Sequence, residues 1–143
     1  MILYLDTSAI VKRYFEEPGS NALLSEWKNA TEIVTSSVAY AETLAAFYRK
    51  KREAGLEEGV HFKILDDFHL DWESFIRVEV SDELNETLDR MIAKYPLRGF
   101  DAIHLSSAVL VKKHLPEKFL FACFDQRLAQ AAKEAGFDTF PST

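Results

Sequence analysis

The stretch Ile2-Leu3-Tyr4-Leu5-Asp6-Thr7 decides the fold class. Its apolar run is too short for a helix and lacks the alternation of a strand with one wet face. It reads as a strand buried on both sides. Asp6 ends the run, and Thr7 to Phe15 reads as a helix capped by Asp6 or Thr7. The same phrase recurs near the other end. Phe119-Leu120-Phe121-Ala122-Cys123-Phe124 is a continuous apolar strand, Asp125 comes next, and Asp125 to Ala135 reads as a helix ended by Gly136.

Between these two units, strands and helices alternate. Pro18-Gly19-Ser20 opens a helix to about Asn29, and Glu32 to Thr35 reads as a second strand. Ser36 or Ser37 is expected to cap a long helix to about Ala54, ended by Gly55. Leu56 to Trp72 reads as a further helix, and Phe75 to Val80 as a third strand. Ser81 caps a helix whose first turn carries Asp82 and Glu83, suited to its positive end. That helix stops before Pro96. Gly99 to Lys113 forms another, and Phe137 to Phe140 a last edge strand. Short apolar strands alternating with helices predict a mainly parallel sheet covered on both faces, an α/β/α sandwich. In such sheets ligands bind beyond the carboxyl ends of the strands.

Composition is consistent with one domain spanning residues 1–143: the chain is 48% hydrophobic and 28% charged. The lone cysteine, Cys123, can form no internal disulfide and reads as a buried small hydrophobe. Its use fits a reducing cytoplasm. The opening run has no basic residue before it, and no apolar stretch approaches a membrane span, so neither a leader nor a membrane segment is expected. A net charge of −6 argues against broad nonspecific nucleic-acid binding. Lys12-Arg13, Arg49-Lys50-Lys51-Arg52, Arg98 and Arg127 nevertheless lie near acidic positions of interest. They are either a solvated rim or a local phosphate-contacting edge.

Four carboxylates stand out. Asp6 and Asp125 each end an apolar strand and precede a helix, so both belong at the carboxyl edge of the sheet. N-capping alone would account for either. Glu42 is the only charge from Ser36 to Tyr48, and its helical neighbours Val38, Ala39, Ala45 and Ala46 are apolar. A Glu so placed needs a partner, and a nearby arginine is the ordinary one. Asp101 is the only formal charge from Phe100 to Val111 and sits in a first helical turn, where the dipole alone favours a carboxylate. If the four converge, each pair at ~4 Å repels by about 4 kcal/mol at an effective dielectric near 20. Such a cluster must protonate in part or hold cations. An oxygen-only donor set suits Mg²⁺ or Mn²⁺, which activate water and stabilise a leaving phosphodiester oxygen.

At these residues the chain resembles the PIN-domain family, and within it the VapC-type toxins of toxin–antitoxin pairs. The matching segments are Leu3-Tyr4-Leu5-Asp6-Thr7-Ser8-Ala9, Ser36-Ser37-Val38-Ala39-Tyr40-Ala41-Glu42, Leu97-Arg98-Gly99-Phe100-Asp101-Ala102-Ile103-His104-Leu105 and Phe124-Asp125-Gln126-Arg127-Leu128. They occur in order over the full length. The resemblance implies a parallel-sheet α/β/α sandwich and an endoribonuclease dependent on Mg²⁺ or Mn²⁺, leaving 5′-phosphate and 3′-hydroxyl ends. Asp6 and Asp101 would be the principal ligands, and Glu42 and Asp125 would complete the cluster directly or through water. Ser8 matches a polar position that supports metal or phosphate, or else caps the first helix. The resemblance also implies an RNA substrate, a small antitoxin partner that blocks the site, and a homodimer.

The other residues of interest have plainer readings. His104 shares a helix face with Asp101 and reads as a core or supporting histidine rather than a ligand. His61, His69 and His114 read as surface residues, and Asp66, Asp67, Asp71 and Glu73 as a solvated acidic face. Tyr40, Phe47 and Tyr48 suit core or dimer packing. Two rival functions stay open. A phosphatase with Asp6 as nucleophile expects a second Asp where this chain has Ser8. A non-catalytic scaffold of the same fold expects an acidic position to be lost, and none is.

Overall fold

The computed structural model describes residues 1–142. The strands are β1 (Ile2–Leu5), β2 (Glu32–Ser36), β3 (Ile76–Val78), β4 (Phe119–Ala122) and β5 (Asp138–Phe140). The helices are α1 (Thr7–Tyr14), α2 (Ser20–Asn29), α3 (Ala39–Ala54), α4 (Glu58–Ser74), α5 (Asp82–Lys94), α6 (Gly99–His114) and α7 (Gln126–Glu134). All strand pairs are parallel, in the order β3-β2-β1-β4-β5.

β1 lies at the centre and is buried at every residue. Successive side chains point to opposite faces, and β1 therefore supplies two separate cores. Leu3 and Leu5 pack with Ala9, Ile10, Leu23, Phe47, Phe68 and Trp72, drawn from α1 to α4. Ile2 and Tyr4 pack with Leu105, Phe121, Leu128 and Ala132 on the other side. Helices thus cover both faces, which is the expected three-layer α/β/α sandwich. Among the described residues no helix is long and apolar enough to cross a membrane.

Several local expectations are corrected. The long helix α3 begins at Ala39 after Val38, with no side-chain cap. Ser36 and Ser37 are instead drawn towards the sheet: Ser36 pairs with Val78, and the Ser37 amide donates to Val78 O at 2.9 Å. β3 is shorter than Phe75–Val80, and β4 ends at Ala122, with the Cys123 amide still donating to Phe140 O at 2.9 Å. His61 is no surface residue. It is 1% exposed, on the face of α4 that also buries Leu65, Phe68 and Trp72. Asp71 is not part of a solvated face either, since it accepts from Tyr14 Oη (2.6 Å) and Arg13 Nε (2.9 Å) and ties α4 to α1.

Candidate functional site

The strand order creates the site. The connection leaving β1 leads to β2 on one side and the connection leaving its other neighbour, β4, leads to β5 on the opposite side, so a crevice opens beyond the ends of β1 and β4. Asp6 and Asp125 stand at that edge. The Asp6 amide donates to Ala122 O at 3.2 Å, tying the end of β1 to the end of β4.

Asp6 caps α1 and also belongs to the cluster. Its Oδ1 accepts from the Ala9 amide (2.9 Å) and Ser8 Oγ (2.7 Å), and its Oδ2 from Cys123 Sγ (3.3 Å). The residue is 4% exposed. Burial raises its pKa, against the opposing pull of His104 and of these hydrogen bonds. Ser8 does not cap the helix. It braces Asp6 and accepts from the Phe124 amide at 2.9 Å, which fixes the chain leading into Asp125. Phe124 in turn lies against Gly19, where an added Cβ would stand 2.6 Å from the ring and the φ of +94° already disfavours a side chain. Asp125 is exposed and caps α7 through Oδ1 and the Leu128 amide (3.0 Å).

Glu42 projects from the first turns of α3. Among the described residues no arginine meets it. Its Oε1 accepts from Thr7 Oγ1 (2.7 Å) and lies 2.9 Å from His104 Nε2. Burial alone would raise its pKa, but the contacts with His104 and Thr7 outweigh burial and bring it below the ordinary value. Asp101, half-buried in the first turn of α6, goes the other way. Burial raises its pKa, and the charges of Asp125, Asp6 and Glu42 raise it further. Side chains from four separated parts of the chain therefore share one electrostatic neighbourhood. Among the described residues, no Lys or Arg makes an ion pair with any of them.

The donor chemistry of this group suits a hard divalent ion: the outward-facing donors are all carboxylate oxygens, and their mutual repulsion is what a cation relieves. Among the described residues, however, no three His, Cys, Asp or Glu side chains close on a single point in the way a ready metal cage would.

The basic residues divide. Lys12 and Lys50 pair with Glu17, Arg13 with Asp71, and Lys51 with Glu58. Those four belong to structural ion pairs. Arg49, Arg98 and Arg127 are exposed and make no ion pair among the described residues. Arg98 and Arg127 lie close in sequence to Asp101 and Asp125.

Three supporting groups are not legible as such in the sequence. Cys123 reads as an inert hydrophobe, yet its thiol reaches both Asp6 Oδ2 and the Asp125 carbonyl at 3.3 Å. Thr7 serves Glu42 rather than the helix cap, and Tyr4 meets His104 at Nδ1. The only hint in the sequence is position: Tyr4, Thr7 and Cys123 all lie within two residues of a strand-end Asp.

Comparison with known proteins gives a consistent result. The model of the PIN domain family matches residues 3–134. Ribonuclease VapC45 of Mycobacterium tuberculosis is 32% identical, over 99% of this chain and 96% of the relative. Two crystal structures share the fold. VapBC2 from Rickettsia felis, bound to a DNA fragment from its promoter, matches 92% of this chain and 93% of its own with a TM-score of 0.63 and 16% identity. VapC20 of M. tuberculosis, a Sarcin-Ricin loop cleaving toxin, matches 94% and 95% with a TM-score of 0.61 and 19% identity.

Proposed function

This chain belongs to the PIN domain family, and from that premise we propose that it is an endoribonuclease, dependent on Mg²⁺ or Mn²⁺, that acts as the toxin of a toxin–antitoxin pair. The observation carrying this reading is the environment of Asp101, where, after burial itself, three further carboxylates raise the pKa. A group of like charges around Asp101 that has no Lys or Arg partner is suited to a divalent cation. The relatives named ribonucleases match nearly the whole chain, which supports RNA as the substrate.

A divalent ion bound here would act as a Lewis acid towards the phosphodiester and make a coordinated water more acidic. The chain's own residues have distinct tasks. Asp6 and Asp101 are the proposed direct ligands. Asp6 is aimed before any ion arrives, because Ser8, Ala9 and Cys123 fix both its oxygens. Glu42 and Asp125 would complete the set of ligands, directly or through water. Arg98 and Arg127, exposed and close in sequence to Asp101 and Asp125, would hold the RNA backbone by its phosphates. The products carry 5′-phosphate and 3′-hydroxyl ends.

The proposed protein partner is a small antitoxin. The solved VapBC2 assembly supports it by analogy of fold, and a net charge of −6 with an acidic hollow suits a basic inhibitory side chain. A homodimer is part of the proposal and is checked by light scattering.

The test is cleavage of a single-stranded RNA by purified protein. Cutting with Mn²⁺, arrest by EDTA, and loss of activity in folded Asp6→Asn and Asp101→Asn proteins are expected. Cutting by the folded double variant in EDTA would overturn the mechanism. Growth inhibition on expression, relieved by the neighbouring reading frame, tests the pairing.

A further inference from the structure

The hydrogen bonds beneath Glu42 form a short buried chain. Tyr4 Oη lies 2.9 Å from His104 Nδ1, His104 Nε2 lies 2.9 Å from Glu42 Oε1, and Thr7 Oγ1 donates to the same Oε1 at 2.7 Å. Tyr4 is fully buried and His104 is 2% exposed, so neither is available to solvent. Tyr4 is itself fixed, stacked on Phe121 with ring centroids 5.1 Å apart and planes within 4°. Its ring also meets His104 edge-on at 5.9 Å. The imidazole is thereby held on both sides, and its second nitrogen faces Glu42 Oε1, with Thr7 Oγ1 farther off at 3.4 Å.

From this arrangement we propose that His104 is a positioning residue for Glu42, held by Tyr4. With Thr7 it engages Oε1 and leaves Oε2 without a hydrogen bond among the described residues. The proton order that satisfies every group is Tyr4 O–H to Nδ1, Nε2–H to Oε1, and Thr7 O–H to Oε1. Glu42 would then offer a bound ion, or its waters, one free oxygen. It is not free to swing or to chelate with both. The role of Glu42 in metal binding rests on the function proposed above; the tether itself does not.

The experiment separates the two. In the metal-free protein, NMR should find the His104 Nε2 proton slow to exchange, with its protection lost in Glu42→Ala. A fast-exchanging proton in the wild type, or protection unchanged in Glu42→Ala, overturns the tether whatever the protein cleaves. Mn²⁺ titration by calorimetry then tests its consequence in three variants. His104→Leu keeps bulk and removes both polar contacts, and is expected to weaken Mn²⁺ binding by about tenfold or more. His104→Gln restores an amide donor where Nε2 stood, and is expected to recover most of that loss. Tyr4→Phe removes only the hydroxyl and should fall between them. Equal weakening by Leu and Gln would reduce His104 to core packing, and wild-type affinity in His104→Leu would contradict the proposal. If the wild type binds no Mn²⁺ while the protected proton is present, the nuclease reading fails and the tether stands.

Discussion

The thiol of Cys123 donates to Oδ2 of Asp6 across 3.3 Å, joining the residue at the end of β1 to the one just past β4. Burial raises the thiol's pKa, and the neighbouring charge of Asp6 raises it further. Cys123 therefore stays a protonated donor. Cys123→Ala leaves a buried carboxylate oxygen without its partner and should lower kcat/KM by about three- to tenfold, the size of one lost hydrogen bond. Cys123→Ser should return most of the activity. In the native protein a water-soluble disulfide reagent should leave Cys123 untouched over minutes and react at once in urea. Rapid labelling of the folded protein would contradict this placement.

Asp101 stands among like charges, so its removal should relieve repulsion. Asp101→Asn is expected to abolish cleavage yet stabilise the metal-free protein by roughly 0.5–1 kcal/mol, a partly exposed charge being well screened. That corresponds to a melting point higher by about 1–4 °C for a domain of this size. A lower melting point would mean that the carboxylate is a structural cap rather than a member of a strained cluster.

The pH dependence comes from opposite shifts. Asp6 and Asp101 have folded pKa values raised above the usual 3.8. Their contribution to stability is complete below that value and is lost as pH rises through their folded values. Glu42 is lowered from 4.5, so its contribution is present above that value and is lost as pH falls through its folded value. The stabilisation by Asp101→Asn should therefore be larger at pH 7 than at pH 4. The thermal shift given by Mn²⁺ should likewise grow from pH 5 to pH 7, since protons and metal compete for the same oxygens. Calorimetric melts at the three pH values check both trends.

Asp71 offers a control away from the site. It accepts from Tyr14 and Arg13, and it raises the pKa of Tyr14 after burial has done so. Asp71→Ala should cost about 1–3 kcal/mol in urea unfolding by orphaning a largely buried hydroxyl. The specific activity of the folded fraction should be unchanged. A loss of activity at full folding would tie α4 to the reaction.

The strand–Asp–helix units at Asp6 and Asp125 are legible because both strands are buried on two faces and contrast with the more polar helices after them. The isolation of Glu42 and Asp101 on apolar helix faces is legible for the same reason. The features that escape the sequence depend on contacts distant along the chain. Ser36 and Ser37 look like caps, but pairing of β2 with β3 holds them at the sheet. His61 sits among charged neighbours, and only the spacing it shares with Leu65, Phe68 and Trp72 marks its buried face. Lys12, Arg13, Lys50 and Lys51 look like a rim for phosphate, whereas the fold brings Glu17, Asp71 and Glu58 to them. The place expected for an arginine at Glu42 is taken by His104, whose supporting role is set by Tyr4, one hundred residues away in sequence.

Anomalous diffraction from a crystal soaked in Mn²⁺ would locate the ion itself. A peak is expected at the carboxyl edge of β1 and β4, within bonding distance of Asp6 or Asp101, with Glu42 and Asp125 reached directly or through water. A fully occupied Mn²⁺ site elsewhere with none at this edge, or no site at millimolar Mn²⁺, would contradict the convergence of these four carboxylates on a metal.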